Sequence, residues 1–481
     1  MNRSETIFDK SSPGKIGIGL PKIKTDVSRY IPGKFLRKTS PILPEITESE
    51  VVRHYISLSN KNYHIDKGLY PLGSCTMKYN PKINERLAGL DGFSNLHPYQ
   101  PESTVQGALR LMYELGALLA ELSGMDEVTL QPAAGAHGEF TSLLMIRAYH
   151  TKNGNPREIV VFPDSAHGTN PASAAMAGYK PLQIKSDGRG MVDLSVLKEA
   201  MSDKVAAFML TNPNTLGLFD TNILKIAEIV HSVGAQFYMD GANLNAIVGR
   251  VKPGENGFDI IHFNLHKTFS APHGGGGPGA GGLGYKEHLS PFAPIPIIAK
   301  KNEQYYFDDN RPDSIGKVHT FYGNFANLVR GYVYIRQLGL EGLRAVSENA
   351  VINANYIKEK LRNYYEIPYD HPCMHEFVLS GNRQKAFGIR TLDMAKRLMD
   401  YGFHPPTVYF PLIVGEAMMI ETTETESKEE LDRFIEAMIK ISEESEKKPD
   451  IVKSAPHNTP VGRLDEGKAA RELVVKWSPR K

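Results

Sequence analysis

The chain has 481 residues, with 41% hydrophobic and 23% charged residues and a formal net charge of +2. That length exceeds one simple core and predicts two or three domains of ordinary globular composition. So small a net charge argues against nucleic-acid or membrane-surface binding, and any small anion must be held by local devices. The two cysteines, Cys75 and Cys373, lie far apart, which argues against a disulfide framework and suits a reducing compartment. Residues 1–25 lack the apolar core of a signal peptide, and no run reaches the ~18 apolar residues of a membrane helix. A cytoplasmic chain is expected.

The first hundred residues are turn-rich, punctuated by Pro32, Pro41, Pro44, Pro71, Pro81 and Pro98. An arm over 1–102 that wraps over a partner is expected. From Ser103 the pattern becomes helical. Val105, Leu109, Met112, Leu115, Leu119 and Leu122 fall on one face, and Gly124 is placed to end the helix. Strands are predicted at 158–162, 205–210, 236–239 and 259–263, with an amphipathic helix at 223–232. Such alternation predicts an α/β fold with a mostly parallel, doubly wound sheet, in a large domain over 103–335. A long helical stretch from Phe325 towards Leu361, broken at Gly339, leads into a smaller C-terminal α+β domain over 336–481. There Ser427 and Glu430 read as a capping box ahead of the stripe Leu431, Phe434, Ile435, Met438 and Ile439.

In an open parallel sheet, ligands collect at the carboxyl ends of the strands. Four loops there are chemically loaded: 164–171, 211–215, 240–243, and His266 with Lys267. A lysine after a buried strand loses hydration and becomes a usable amine nucleophile, as a Schiff-base lysine for pyridoxal phosphate requires. Asp240 is either a turn cap or the carboxylate that keeps the cofactor's pyridine nitrogen protonated. His167 is either an ordinary loop histidine or a ring stacked on the pyridine. Asn212-Pro213-Asn214 is either a plain turn or a ligand contact. The small residues around Gly135, ahead of an apolar helical run, predict a phosphate cradle of backbone amides. No P-loop and no dinucleotide fingerprint is present, so nucleotide hydride transfer lacks support. The glycine run 274–277 reads as a wall that lets substrate approach closely. No zinc-like spacing is found and no metal is expected; Cys75 reads as a small packed residue.

The segment Asn264-Leu265-His266-Lys267-Thr268-Phe269, followed by the glycine-rich 272–279, resembles the cofactor-lysine signature of the glycine cleavage system P-protein family. Blocks at 71–81, 131–139, 164–178, 211–219, 374–378 and 421–424 agree, so the resemblance covers nearly the whole chain. The length is similar to the cofactor-bearing chain of the split form, in which two homologous subunits replace one. The resemblance implies a fold-type-I pyridoxal phosphate enzyme. It implies decarboxylation of glycine through a pyridoxal phosphate imine, with transfer of the aminomethyl group to the lipoyl arm of the H-protein. It further implies Lys267 as the imine lysine, Asp240 at the ring nitrogen, and His167 and Ala242 against opposite ring faces. Ala134, Gly135, Ala136 and His266 are implied as phosphate contacts, with Thr320 reaching the phosphate from a neighbouring subunit. The implied partners are lipoylated H-protein and subunit 1, in a heterotetramer of two of each. The rival reading is a carrier-independent pyridoxal phosphate amino-acid decarboxylase using the same residues. An aminotransferase is less favoured, because no arginine stands out for a substrate carboxylate. A silent paralogue is disfavoured by the presence of Lys267.

Overall fold

The computed structural model describes residues 5–19, 21, 24–272, 274 and 279–477. Residues 1–67 and 68–481 form two compact units. In the first, a reciprocal capping box between Thr47 and Glu50 starts the helix Glu48–Asn60. Among its described residues only Ile46 and His54 are buried, while Ile16, Ile18, Tyr30, Phe35 and Leu43 are largely exposed. No helix among the described residues of the chain is long and apolar enough to cross a membrane.

The second unit is built on a seven-stranded sheet. Its strands are β1 (Glu127–Thr129), β2 (Ile159–Pro163), β3 (Lys180–Ile184), β4 (Val205–Thr211), β5 (Gln236–Gly241), β6 (Ile260–Asn264) and β7 (Gly281–Tyr285). Their spatial order is β1-β7-β6-β5-β4-β2-β3, and β7 alone runs against the rest. Strands β4, β5 and β6 are buried along their whole length, as helices on both faces of a parallel sheet require. The helix Gln106–Ser123 contributes Leu109, Leu115 and Leu119 to one face, and Gly124, at φ 69°, ends it with its N–H on the Ala120 carbonyl. The helix Gly135–Lys152 packs Leu143, Met145 and Ile146 on the other. Because β2, β4, β5 and β6 are parallel, their carboxyl ends share one edge. The register sets Thr211 beside Asp240 and Asp240 beside His262.

Beyond the hairpin β8 (Ile297–Lys301) and β9 (Gln304–Asp308), the helix Phe325–Leu361 is interrupted at Gly339, whose φ of 60° and ψ of −172° leave the helical region. A second, antiparallel sheet follows, from β10 (Glu376–Ser380), β11 (Thr407–Val408) and β12 (Ala417–Glu421), ordered β10-β12-β11. It packs with the helices Thr391–Asp400 and Lys428–Lys447, the latter begun by Ser427 accepting the Glu430 N–H.

This small sheet buries a cluster of ionisable groups. Glu376 and Glu421 are direct cross-strand partners, both fully buried, with His375 Nε2 4.0 and 3.9 Å from their carboxylates. Like charges in that position repel. Burial and the neighbouring Glu421 push Glu376 well above the usual carboxylate range, and burial pushes Glu421 up to about 7. Burial also drives His375 down to about 3, so its imidazole is neutral at ordinary pH. The carboxylates are used as acceptors: Ser74 N–H donates to Glu376 at 2.7 Å, and Thr76 N–H to Glu421 at 2.9 Å. The isolated bridge between Leu72 and Ile420 holds the same segment to β12.

A carboxyl with a raised pKa binds its proton more tightly in the folded chain than in the unfolded one. The stability it lends is fully present below the ordinary value of 4.5 and is lost as pH rises through about 7. Glu421→Gln keeps the acceptor for Thr76 and removes this titration. We predict that the unfolding free energy of the parent, read from denaturant titrations, falls relative to that of Glu421→Gln between pH 5 and pH 8, by up to about 3 kcal/mol. Parallel pH curves for the two proteins would contradict a buried, proton-holding Glu421.

Candidate active site

Asp240, near the end of β5, is 2% exposed. Its carboxylate accepts the Ala242 N–H at 2.9 Å and the Asn170 amide at 3.1 Å, and lies 3.3 Å from His262 Nε2. Burial raises its pKa, but His262, the Ala242 N–H, Lys267 and Asn170 together outweigh burial, and the net shift is downward. His262 is pulled down, chiefly by burial. The pair is therefore an ionised carboxylate beside a neutral imidazole. The ring of His262 is held by the Tyr238 hydroxyl at Nδ1 and by Asn264 at Nε2.

Lys267 lies in the turn after β6 and is half-buried, three residues beyond the strand rather than at its last position. Its N–H donates to the Asn264 carbonyl, and its Nζ donates to the Ser74 carbonyl at 2.6 Å. A cavity of about 200 Å³ is lined by Lys267, Asp240, His167, Ala242, His266, Ala134, Gly135 and Ala136, so the carboxyl-end loops and the helix start converge there. Among the described residues, no arginine lines it. At the start of the helix Gly135–Lys152, a Cβ on Gly135 would lie 2.3 Å from Asn264 Oδ1, and one on Gly138 2.9 Å from His262 Cβ. Only glycine lets this helix lie flush against β6, with its first N–H groups free of intrahelical partners.

His167 is open to the cavity, edge-on to Phe410 at a ring separation of 5.6 Å, and burial lowers its pKa. Its Nδ1 lies 3.0 Å from Thr169 Oγ1, which donates to Glu139 Oε1 at 2.7 Å. Glu139 is buried beside Asp240. Burial and then that neighbouring charge push it up to about 7.

Several expected features lie elsewhere. Thr320 is exposed and does not line the cavity of its own chain; its carbonyl accepts the Tyr99 hydroxyl. Asn212 and Asn214 knit their own loop, accepting the N–H groups of Asp220, Leu216 and Leu218. Gly275, Gly276 and Gly277 lie outside the described residues. Cys75 is a free thiol whose pKa burial pushes up, the opposite of an activated nucleophile. Sequence reasoning missed Glu139, His262, Asn264 and Ser74 in the cavity wall. For two of them a signal existed: strand alternation places His262 and Asn264 on one face of β6.

Residues 16–303 match the model of the glycine cleavage system P-protein family, and residues 346–459 that of the glycine dehydrogenase C-terminal domain. A probable glycine dehydrogenase (decarboxylating) subunit 2 from Listeria innocua is 58% identical over 484 residues, 99% of each chain. One from Halalkalibacterium halodurans is 57% identical over 482 residues, again 99% of each chain. The crystal structure of an inhibitor-bound glycine decarboxylase (P-protein) of the glycine cleavage system superposes with a TM-score of 0.73 at 22% identity, covering 86% of this chain and 94% of that one. An apo cysteine desulfurase from Thermococcus onnurineus gives 0.60 at 17% identity, covering 79% and 95%. The fold is that of the fold-type-I pyridoxal phosphate enzymes, and family and fold together make pyridoxal 5′-phosphate the cofactor. The residues fit it: an amine, an ionised carboxylate and a helix N-terminus face one cavity, and the cavity-lining Thr211 Oγ1 is buried without a hydrogen-bond partner. The chain is a glycine-decarboxylating enzyme of the glycine cleavage system P-protein family, and its near-full-length relatives are the subunit 2 chains.

Proposed function

We propose that this chain decarboxylates glycine with Lys267 as the covalent attachment point of pyridoxal phosphate and passes the aminomethyl group to the lipoyl arm of the H-protein. The observation that carries the reading is the presence of Lys267 and the buried Asp240 on one small cavity closed by the start of the helix Gly135–Lys152. When bound, the cofactor supplies an electron sink for the pair left as carbon dioxide departs. The chain's part is to hold and orient. Asp240 keeps a proton on the ring nitrogen, and its three fixed neighbours prevent it from turning away. Backbone N–H groups around Ala134, Gly135 and Ala136, with His266, take the phosphate. His167 and Ala242 bound the two faces of the ring. Ser74 offers its carbonyl to the Lys267 amine, a resting place for that amine once substrate has displaced it.

We further propose assembly with subunit 1 as a heterotetramer of two of each, in which Thr320 reaches a neighbouring chain's phosphate. The exposed Ile16, Ile18, Tyr30, Phe35 and Leu43 of the first unit support a partner that covers them. The two free cysteines suit a cytoplasmic setting.

Two measurements test the reading. Borohydride reduction of the cofactor-loaded chain should fix the cofactor on the peptide containing Lys267, and Lys267→Ala should lose both the label and turnover; full turnover in that variant would overturn the assignment. With labelled bicarbonate and glycine, label should enter the glycine carboxyl group only when lipoylated H-protein is present. Methylamine release without carrier would instead point to a plain decarboxylase.

A further inference from the structure

Glu139 has no part in the reading above, yet it sits buried at the centre of the site with one hydroxyl between it and His167. We propose that Glu139 is a positioning residue that, through Thr169, sets which ring nitrogen of His167 carries the proton, and so whether His167 offers the cavity a donor or an acceptor.

The single proton of the Thr169 hydroxyl links the two residues. Thr169 Oγ1 lies 2.7 Å from Glu139 Oε1 and 3.0 Å from His167 Nδ1. When Glu139 is ionised, the hydroxyl donates to it, so its oxygen can only accept from His167, and the ring proton is on Nδ1. His167 Nε2 is then a bare acceptor. When Glu139 holds a proton, it donates to Thr169 Oγ1, the hydroxyl donates to Nδ1, and the ring proton is on Nε2. The Thr169 N–H, aimed at Nδ1 at 3.3 Å, favours this second setting. Ser173 Oγ, 3.1 Å from Glu139 Oε2, holds the carboxyl in both.

The two settings differ by one proton. A proton taken up at His167 Nε2 moves the Nδ1 proton to the Thr169 oxygen and the hydroxyl proton to Glu139. No charge remains on the imidazole, which suits a ring that burial disfavours as a cation. Other titratable groups surround the chain of bonds. Asp240 and Tyr238 stand on β5, His262 on β6, and Lys267 in the turn that follows. Asp240 stays ionised, His262 is neutral and Tyr238 is far above its ordinary range, so Glu139 is the carboxyl left to change state, at about 7. Asn170, which bonds Asp240, and Ser173 are neutral at every working pH.

The inference rests on the proposed cofactor reading only for its consequence in catalysis. It is tested by nitrogen NMR of the full-length chain with ¹⁵N-labelled histidine, before and after loading with pyridoxal phosphate. The His167 signals are identified by their absence from His167→Asn. In the parent chain the ring proton should move from Nε2 to Nδ1 as pH rises through about 7. Thr169→Ser should keep that step. Thr169→Val, which removes the hydroxyl, and Glu139→Gln, which removes the titration, should each abolish it. A parent without the step, or a step that survives in Glu139→Gln or Thr169→Val, overturns the proposal. Borohydride labelling of Lys267 is unaffected by either outcome, so failure here is distinguishable from failure of the cofactor reading.

Discussion

A carboxylate buried at the carboxyl edge of a parallel sheet is costly unless its surroundings hold it ionised. Asp240 is such a group, and the site is arranged around it. One backbone N–H, one amide and one imidazole face its two oxygens. Each comes from a different element: the turn after β5, the helix Thr169–Met176, and β6. The demand propagates outward. His262 needs the Tyr238 hydroxyl and Asn264 to keep its ring in place, and Asn264 in turn presses against Gly135 so closely that no side chain fits between them. The carboxylate, the neutral imidazole and the start of the helix Gly135–Lys152 are therefore held together as one unit.

The second sheet reaches the cavity through the segment 73–78. Glu376 and Glu421 grip the segment around Ser74 and Thr76, two residues held at positive φ, and Ser74 presents the carbonyl that meets Lys267. Lys78, at the end of the same segment, is 3% exposed and bonded to Asn245, Tyr334 and Glu424. Breaking a buried pair of this kind costs far more than the pair contributes, because the surviving charge is stranded. The segment 73–78 is thus clamped at both ends by buried acidic side chains from the distant C-terminal part of the chain. Lysine placement at the cavity depends on residues hundreds of positions away from it in sequence.

Much of the parallel core was legible in the sequence because its strands are unbroken apolar runs. The expected strands at 205–210 and 236–239 correspond to β4 and β5, and the expected break at Gly339 is present. Strands β1, β3 and β7 were not legible: the first has three residues, the second is Lys180-Pro-Leu-Gln-Ile184 with four exposed positions, and the third is Gly-Gly-Leu-Gly-Tyr. β1 is too short to show a period, and neither β3 nor β7 has the β-branched content that marks a strand. In the site, turn residues after strands pointed to His167, Asp240 and Lys267, which share one cavity. Glu376 and Glu421 gave no such signal. Their meaning comes from cross-strand register, and a glutamate on an isolated strand reads as solvent-facing.

The central claim is that Asp240 is held ionised in order to keep a proton on the cofactor's ring nitrogen. Its most direct test is ¹⁵N NMR of the chain loaded with pyridoxal phosphate labelled at the ring nitrogen. The account predicts a protonated ring nitrogen across neutral pH in the parent and an unprotonated one in Asp240→Asn. A ring nitrogen unprotonated in the parent, or equally protonated in both proteins, would contradict it.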